Sequence, residues 1–290
     1  MKRAQFVGSL LAAAALPQAA RGAEYRPVRG AIEGIPGIVG VYARTMTSGV
    51  PLFSYNADVD FPAASTIKLA IMLTAFDAAA RHAGAMHERI RYRSRELIGG
   101  SDFLAGARDG SYFTVKQLLV PMIQLSDNTA SNLLITHFGF AEINRVAHRA
   151  GMHHTYLRRH FLDAAAIVHH MDNRTTPRDM ANLLFQIERG AREGLPTVAS
   201  PSACRSMIGI LLGQTDRDKI PAGLPHSVAC ANKTGEVDGV RNDVAIVEPF
   251  GDSPYVIGVF TKRLDNYADA YAGIARISHL IYAMVAGTGL

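Results

Sequence analysis

Ser65 and Lys68 stand three residues apart, S-x-x-K, at the head of an apolar run, Ser65 to Ala80, that reads as a helix and sets both side chains about one turn apart on one face. A serine hydroxyl is a poor nucleophile until a neighbouring base takes its proton. A lysine whose pKa is lowered by burial and by other cations can be that base. Backbone N–H groups at the helix start would face an oxyanion growing on a substrate carbonyl. Alone the pair means little, since S-x-x-K is expected about once by chance in a chain this long. Two rarer triplets follow it, Ser126-Asp127-Asn128 at a junction of helical stretches and Lys233-Thr234-Gly235 after a strand-like segment. Singly, these read as a helix cap and an edge-strand turn. All three in this order, with an all-α insertion between the first and last, argue against coincidence.

These residues need elements to bring them together. Strand-like segments lie near the start, Ile38 to Thr45 and Leu52 to Tyr55, and near the finish, Ser227 to Ala231, Asp243 to Val247 and Tyr255 to Thr261. Turn formers such as Ser48-Gly49, Gly235, Gly239 and Gly251-Asp252 separate them. Between the ends the period is helical: Leu118, Leu119, Met122, Ile123, then Ala130, Leu133, Leu134, then Met180, Leu183, Leu184, Ile187. Thr176 before Pro177 predicts an N-cap and a first-turn proline, Asp163 and Ser200 are further cap candidates, and Ala268 to Val285 closes the chain as an amphipathic helix. Strands from both ends share one sheet only if the helical middle is inserted. The expectation is an α/β fold, an antiparallel sheet flanked by helices plus an inserted all-α lobe, with residues 24–63 plus 214–290 in one lobe, 64–213 in the other and a cleft between.

The 290 residues are 48% hydrophobic and 19% charged, ordinary globular usage with no repeat or linker. Lys2 and Arg3, the apolar run Phe6 to Leu16 and the small residues Ala19, Ala20, Gly22 and Ala23 predict a signal peptide over 1–23 and a periplasmic or secreted protein. That run is too short to span a bilayer, and no later segment is long and apolar enough. Its removal lowers the formal charge from +5 to +2, so charge gives no reason to expect a nucleic-acid partner. Cys204 and Cys230 can pair in an oxidising compartment, or stay apart as small buried residues of a helix and a strand. No established metal-ligand spacing occurs, no cofactor is needed for serine chemistry, and nothing demands more than a monomer.

With S-x-x-K, S-D-N and K-T-G in this order, the chain resembles the class A β-lactamases and penicillin-binding proteins. The likeness covers nearly everything after the leader, including Tyr112 to Leu134, Thr175-Thr176-Pro177 and Gly239 to Val247. It implies a β-lactamase/transpeptidase-like fold and a β-lactam or cell-wall peptide as substrate. It further implies that Ser65 forms an acyl-enzyme, that Lys68 is base or proton relay, and that Ser126 passes a proton to the leaving nitrogen. By the same likeness Asn128 holds Lys68 and the substrate amide, Lys233 and Thr234 bind the substrate carboxylate with Arg241 as a second cation, and the backbone N–H groups of Ser65 and Glu236 form the oxyanion hole beside Gly235.

One element of the family pattern is missing. Class A enzymes carry, on a loop before the T-T-P helix start, a glutamate that positions the deacylating water. The matching position falls near His160, and no glutamate occurs between Glu142 and Glu188. Asp163 and His160 are the candidate substitutes. Asp163 is equally suited to capping a helix or pairing with Arg158 or Arg159, and His160 is one of five histidines from His153 to His170. The expected activity is a serine β-lactamase with atypical deacylation. Two alternatives stand: a D-Ala-D-Ala-type peptidase or esterase in which Lys68 and Ser126 serve both half-reactions, and a penicillin-binding protein that acylates without turnover.

Overall fold

Every residue from Val39 to Ala43 is buried, although successive side chains of a strand point to opposite faces. Such a strand must be covered on both sides, and the computed structural model, which describes residues 25–101, 103–169 and 171–288, covers it with a helical layer on each face. The leader expected over 1–23 lies outside the described residues. The five-stranded sheet runs β2-β1-β9-β8-β7, antiparallel throughout, with β1 Ile38–Thr45, β2 Phe53–Tyr55, β7 Cys230–Val237, β8 Val240–Val247 and β9 Tyr255–Lys262. Ile38 pairs with Lys262 and Thr45 with Tyr255, and β7 turns into β8 through Asp238-Gly239, with Gly239 at φ 69° as a two-residue hairpin requires.

Alternate residues sort to two cores. Val41, Ala245, Val247, Ile257 and Val259 face helices α1 (Arg26–Glu33) and α9 (Tyr267–Ala286), through Val28, Ile32, Ile274 and Ile281. Tyr42, Val244, Ile246, Val256 and Phe260 face the helical middle of the chain. There the two-residue pairs β3 (Phe61–Pro62) with β6 (Arg174–Thr175), and the short ribbon of β4 (Arg89–Arg91) with β5 (Tyr112–Thr114), border the helices. Those helices are α2 (Lys68–Arg81), α3 (Val115–Gln124), α4 (Asn128–Phe138), α5 (Phe140–Arg149), α6 (Ala164–Val168), α7 (Pro177–Glu193) and α8 (Pro201–Leu212). Asp163, Thr176 and Ser200 cap α6, α7 and α8, accepting from the backbone N–H of Ala166, Asp179 and Ala203.

Three expectations shift. The strand expected over Ser227 to Ala231 begins at Cys230 and runs on through the K-T-G triplet, because Pro225 closes a turn on Val228 N–H and the ladder to β8 continues to Val237. The strand expected from Asp243 starts at Val240 for the same reason. The helix expected from Ser65 begins with a tighter 3₁₀ turn, Ala64–Ile67, and is α-helical only from Lys68. Cys204 and Cys230 are both buried and free, one in α8 and the other in β7. Among the described residues no helix is long and apolar enough to cross a membrane.

Gly40 lets α7 reach the sheet: a Cβ there would lie 2.7 Å from the Phe61 ring and 2.8 Å from Pro177 Cγ. Gly40→Ala is expected to destabilise the fold by about 1–3 kcal/mol, read as a lower denaturant midpoint at unchanged slope.

Candidate active site

The tight turn Ala64–Ile67 holds Ser65 against the edge strand β7. Gly235 permits the approach, since a Cβ on it would lie 3.0 Å from Ala63 O and from the backbone nitrogens of Ser65 and Thr66. Ala64, just before the serine, has φ 46°, and Ser126, at the break between α3 and α4, has φ 57°. Positive φ at residues with a Cβ is strained and persists only where the surroundings hold it.

Lys68 is fully buried, and its Nζ makes three contacts: Ser126 O at 2.6 Å, Asn128 Oδ1 at 2.9 Å and Ser126 Oγ at 3.1 Å. Among the hydrogen bonds of the described residues none joins Lys68 to Ser65. Burial first, and then the charge of Lys233, hold the Lys68 pKa well below the usual lysine value, with Asp127 opposing. A neutral amine has two protons and one lone pair. In a neutral amine the two carbonyl-type oxygens would take the protons and the lone pair would be left for the Ser126 hydroxyl. On the other side of that hydroxyl, Lys233 Nζ donates to Ser126 Oγ at 3.2 Å and to Thr234 O at 2.9 Å. Lys233 is also fully buried, and burial brings its pKa down to about 8. Ser126 thus stands between two buried lysines, both made less basic by burial.

The cleft in front of this row has a volume of about 280 Å³ and is lined by Ser65, Ser126, Asn128, Thr234 and Glu236, with Gly100, Leu125, Gln214, Thr215 and Asp216. Lys68 and Lys233 lie behind the wall. Asn128 Nδ2 donates to Gly99 O at 2.9 Å. The Arg241 guanidinium stacks 3.8 Å from the Tyr267 ring centre, donates to Val237 O and Val240 O at 2.9 and 2.7 Å, and sets its Nε 3.7 Å from Oε2 of the cleft residue Glu236. The second cation of this wall is Lys219, fully buried between Asp216 at 2.7 Å and Glu236 at 2.6 Å. Sequence reasoning passed over Asp216 and Lys219. Their signal was the charged run Asp216-Arg217-Asp218-Lys219 just before a buried proline turn.

Neither expected substitute for the loop carboxylate faces Lys68. Asp163 is occupied as the α6 cap. His160 Nε2 sits 3.2 Å from Thr136 Oγ1 and its ring meets Phe140 edge to face, and burial lowers its pKa against the charge of Asp163. What faces the amine is the ring of Phe161, centred 4.3 Å from Lys68 Nζ. Asn132 clamps that residue through both amide atoms, to Phe161 N at 2.8 Å and Phe161 O at 3.2 Å. No group of three His, Cys, Asp or Glu that could hold a metal occurs among the described residues.

An antiparallel sheet with helices on both faces, and a serine at the foot of a cleft backed by buried lysines, define the serine acyl-transfer hydrolases of the β-lactamase/transpeptidase type. The model of the β-lactamase enzyme family matches residues 26–285, and the chain belongs to that family. It is 28% identical over 250 residues to the carbapenem-hydrolysing β-lactamase KPC of Klebsiella oxytoca, covering 83% of each chain. It is similar in structure to a mutant of PBP-A solved as an acyl-enzyme with penicillin G, with a TM-score of 0.81, 26% identity and coverage of 92% of this chain and 97% of that one. It is likewise similar to a β-lactamase from Sphaerobacter thermophilus, with a TM-score of 0.79, 28% identity and coverage of 95% and 100%.

Lys233 carries its charge below about pH 8, because burial favours the neutral form. The rate of acylation is therefore expected to fall above about pH 8, by up to tenfold per pH unit, whatever the charge of the substrate. Stopped-flow acylation at constant ionic strength checks this.

Proposed function

We propose that the protein is an exported serine hydrolase that opens β-lactams by forming an acyl-enzyme on Ser65. The single observation that carries this reading is the buried row Lys68–Ser126–Lys233 beside Ser65 and its cleft. In the reaction, the Ser65 hydroxyl gives up its proton as its oxygen attacks the lactam carbonyl, and the proton reaches neutral Lys68. The oxyanion is received by the backbone N–H groups of Ser65 and Glu236. As the C–N bond breaks, Ser126 passes its proton to the leaving nitrogen and is reprotonated by Lys68. Charge on Lys233 eases that transfer by stabilising the oxygen of Ser126. Arg241 is left out of substrate binding, in keeping with its stacking on Tyr267.

Release of the acyl group then depends on Lys68 and Ser126, in place of a loop carboxylate. The Phe161 ring, set against Lys68, favours a second reading in which the acyl-enzyme is long-lived, as in a penicillin-binding protein or a D-Ala-D-Ala-type peptidase. Intact-mass spectrometry with penicillin G separates the two. Continuous product formation with little adduct supports the lactamase, and an adduct that persists near one equivalent supports the second. Ser65→Ala is expected to abolish adduct and product alike, and an adduct on that variant would overturn both.

Phe161→Glu brings a carboxylate to the side of Lys68 now closed by the ring. It is expected to shorten the lifetime of the penicillin adduct by at least about tenfold, with acylation less affected, as measured by the decay of adduct mass after rapid removal of free penicillin.

A further inference from the structure

A second cavity, of about 550 Å³, opens where α2, the turn after it, α3 and α8 meet, and it shares no lining residue with the catalytic cleft. Its volume lies in the range that holds one small ligand, about 300–1,000 Å³. Helical spacing builds two of its walls. Lys116, Leu119 and Val120 come from one face of α3, and Ser206, Gly209 and Ile210 from one face of α8. Phe76 and Met86 close a third side. Phe76, Met86, Val120 and Ile210 stay only half-buried, so the fold leaves apolar surface uncovered here.

Gly209 keeps the space open. Glycine weakens a helix interior relative to alanine, and it is ordinarily kept there to let another element approach or to permit a positive φ. Neither reason applies. The residue lies inside α8 with no positive φ, and a Cβ on it would meet no atom within 4 Å.

The polarity of the lining is one-sided. No Asp or Glu lines the cavity, and its charged residue is Lys116, exposed at the mouth together with His87. Among the described residues neither side chain has a hydrogen-bond or ion-pair partner. Glu88, next to His87 in sequence, is turned to His137 at 3.1 Å. Ser206 spends its hydroxyl proton on Ser202 O at 3.0 Å, and the Gln124 amide donates to Ile210 O at 3.2 Å. A ligand is thus offered an apolar chamber with an unpaired ammonium at its mouth.

From the open apolar walls, the glycine that keeps them apart and the lone cation, we infer that this cavity is a binding site for a small amphiphilic anion of the medium-chain carboxylate type. The hydrocarbon chain lies between Leu119, Val120 and Ile210, and the charged head is met by Lys116. The site is separate from Ser65 and stands whether or not the acyl-enzyme reading does.

The test is calorimetric titration of the protein with decanoate below its micelle concentration, at fixed pH and ionic strength. Wild type is expected to bind one decanoate, and to bind it more tightly than decyltrimethylammonium, which has the same chain and the opposite charge. Gly209→Phe places a ring in the open space and is expected to abolish binding, with a cooperative melting transition no lower than that of wild type. Lys116→Glu is expected to weaken decanoate by about fivefold, the scale of one exposed charge reversed, with a smaller effect at high salt. It carries the test should Gly209→Phe fail to fold. Absence of saturable binding, decanoate binding that survives Gly209→Phe, or equal affinity for the two head groups overturns the assignment. A wild type that sediments as a dimer, with Gly209→Phe a monomer, would place a second copy of the chain in the cavity and overturn it as well.

Discussion

Two lysines are buried on one serine hydroxyl, and the rest of the site answers to that fact. Moving an ammonium from water into the interior costs several kcal/mol even after relaxation, unless hydrogen bonds and opposite charges compensate. Lys233 has Asp243 and Asp216 within electrostatic reach, and Lys68 has Asp127. The compensation is incomplete, so both lysines lose basicity. A tightly paired lysine would keep its proton and be useless as a base. A lone one could not be buried. The chain stands between these limits, and it does so through geometry: carbonyl O of Ser126 and Oδ1 of Asn128 accept from Lys68 without neutralising it.

That geometry constrains the backbone. For Ser126 to present both its carbonyl and its hydroxyl to Lys68, the chain must turn back between α3 and α4 with φ 57° at a residue that has a Cβ. The Asp127 side chain stabilises the turn by capping α4 on Ala130 N–H at 2.6 Å. On the opposite wall, Gly235 brings β7 within contact of the turn that carries Ser65, so the strand edge and the nucleophile share one rigid corner. The sheet fixes β7 through an eight-residue ladder to β8 and thereby fixes the distance between Lys233 and Ser126.

The faces of β1, β8 and β9 were legible in the sequence because apolar residues on both sides leave uninterrupted hydrophobic runs, and the caps Asp163, Thr176 and Ser200 were legible because capping is local. The extent of β7 was not, since Asn232, Lys233 and Thr234 are buried polar residues that break the apolar pattern exactly where the strand continues. The tight turn at Ser65 was hidden for a similar reason: Ala64 to Ile67 have helical composition, and their 3₁₀ turn is made where they pack on β7 and β8. Motif residues could be named one by one from their triplets. The residue that qualifies them, Phe161 over Lys68, acts across a separation of 93 positions, where no local pattern reports a contact.

On the proposed reading, acylation and release draw on different parts of the chain, so that one can be kept while the other changes. The groups proposed for acylation sit on α2, the α3–α4 junction and β7, all tied together by Lys68 and Lys233. The side of Lys68 that a deacylating water would use belongs to the loop before α7, which has its own scaffold: Asn173 Oδ1 accepts from Arg158 and Arg159 N–H, Arg159 pairs with Asp172 at 2.8 Å, and Asn132 grips Phe161. An aromatic ring in that grip costs the loop nothing, because the clamp uses only backbone atoms of Phe161. Its face toward a weakly basic amine is compatible with the neutral form and also with the cation during turnover. The loop scaffold therefore specifies where a side chain meets Lys68 but not which one, and on the proposed reading that side chain decides how long the acyl-enzyme lasts.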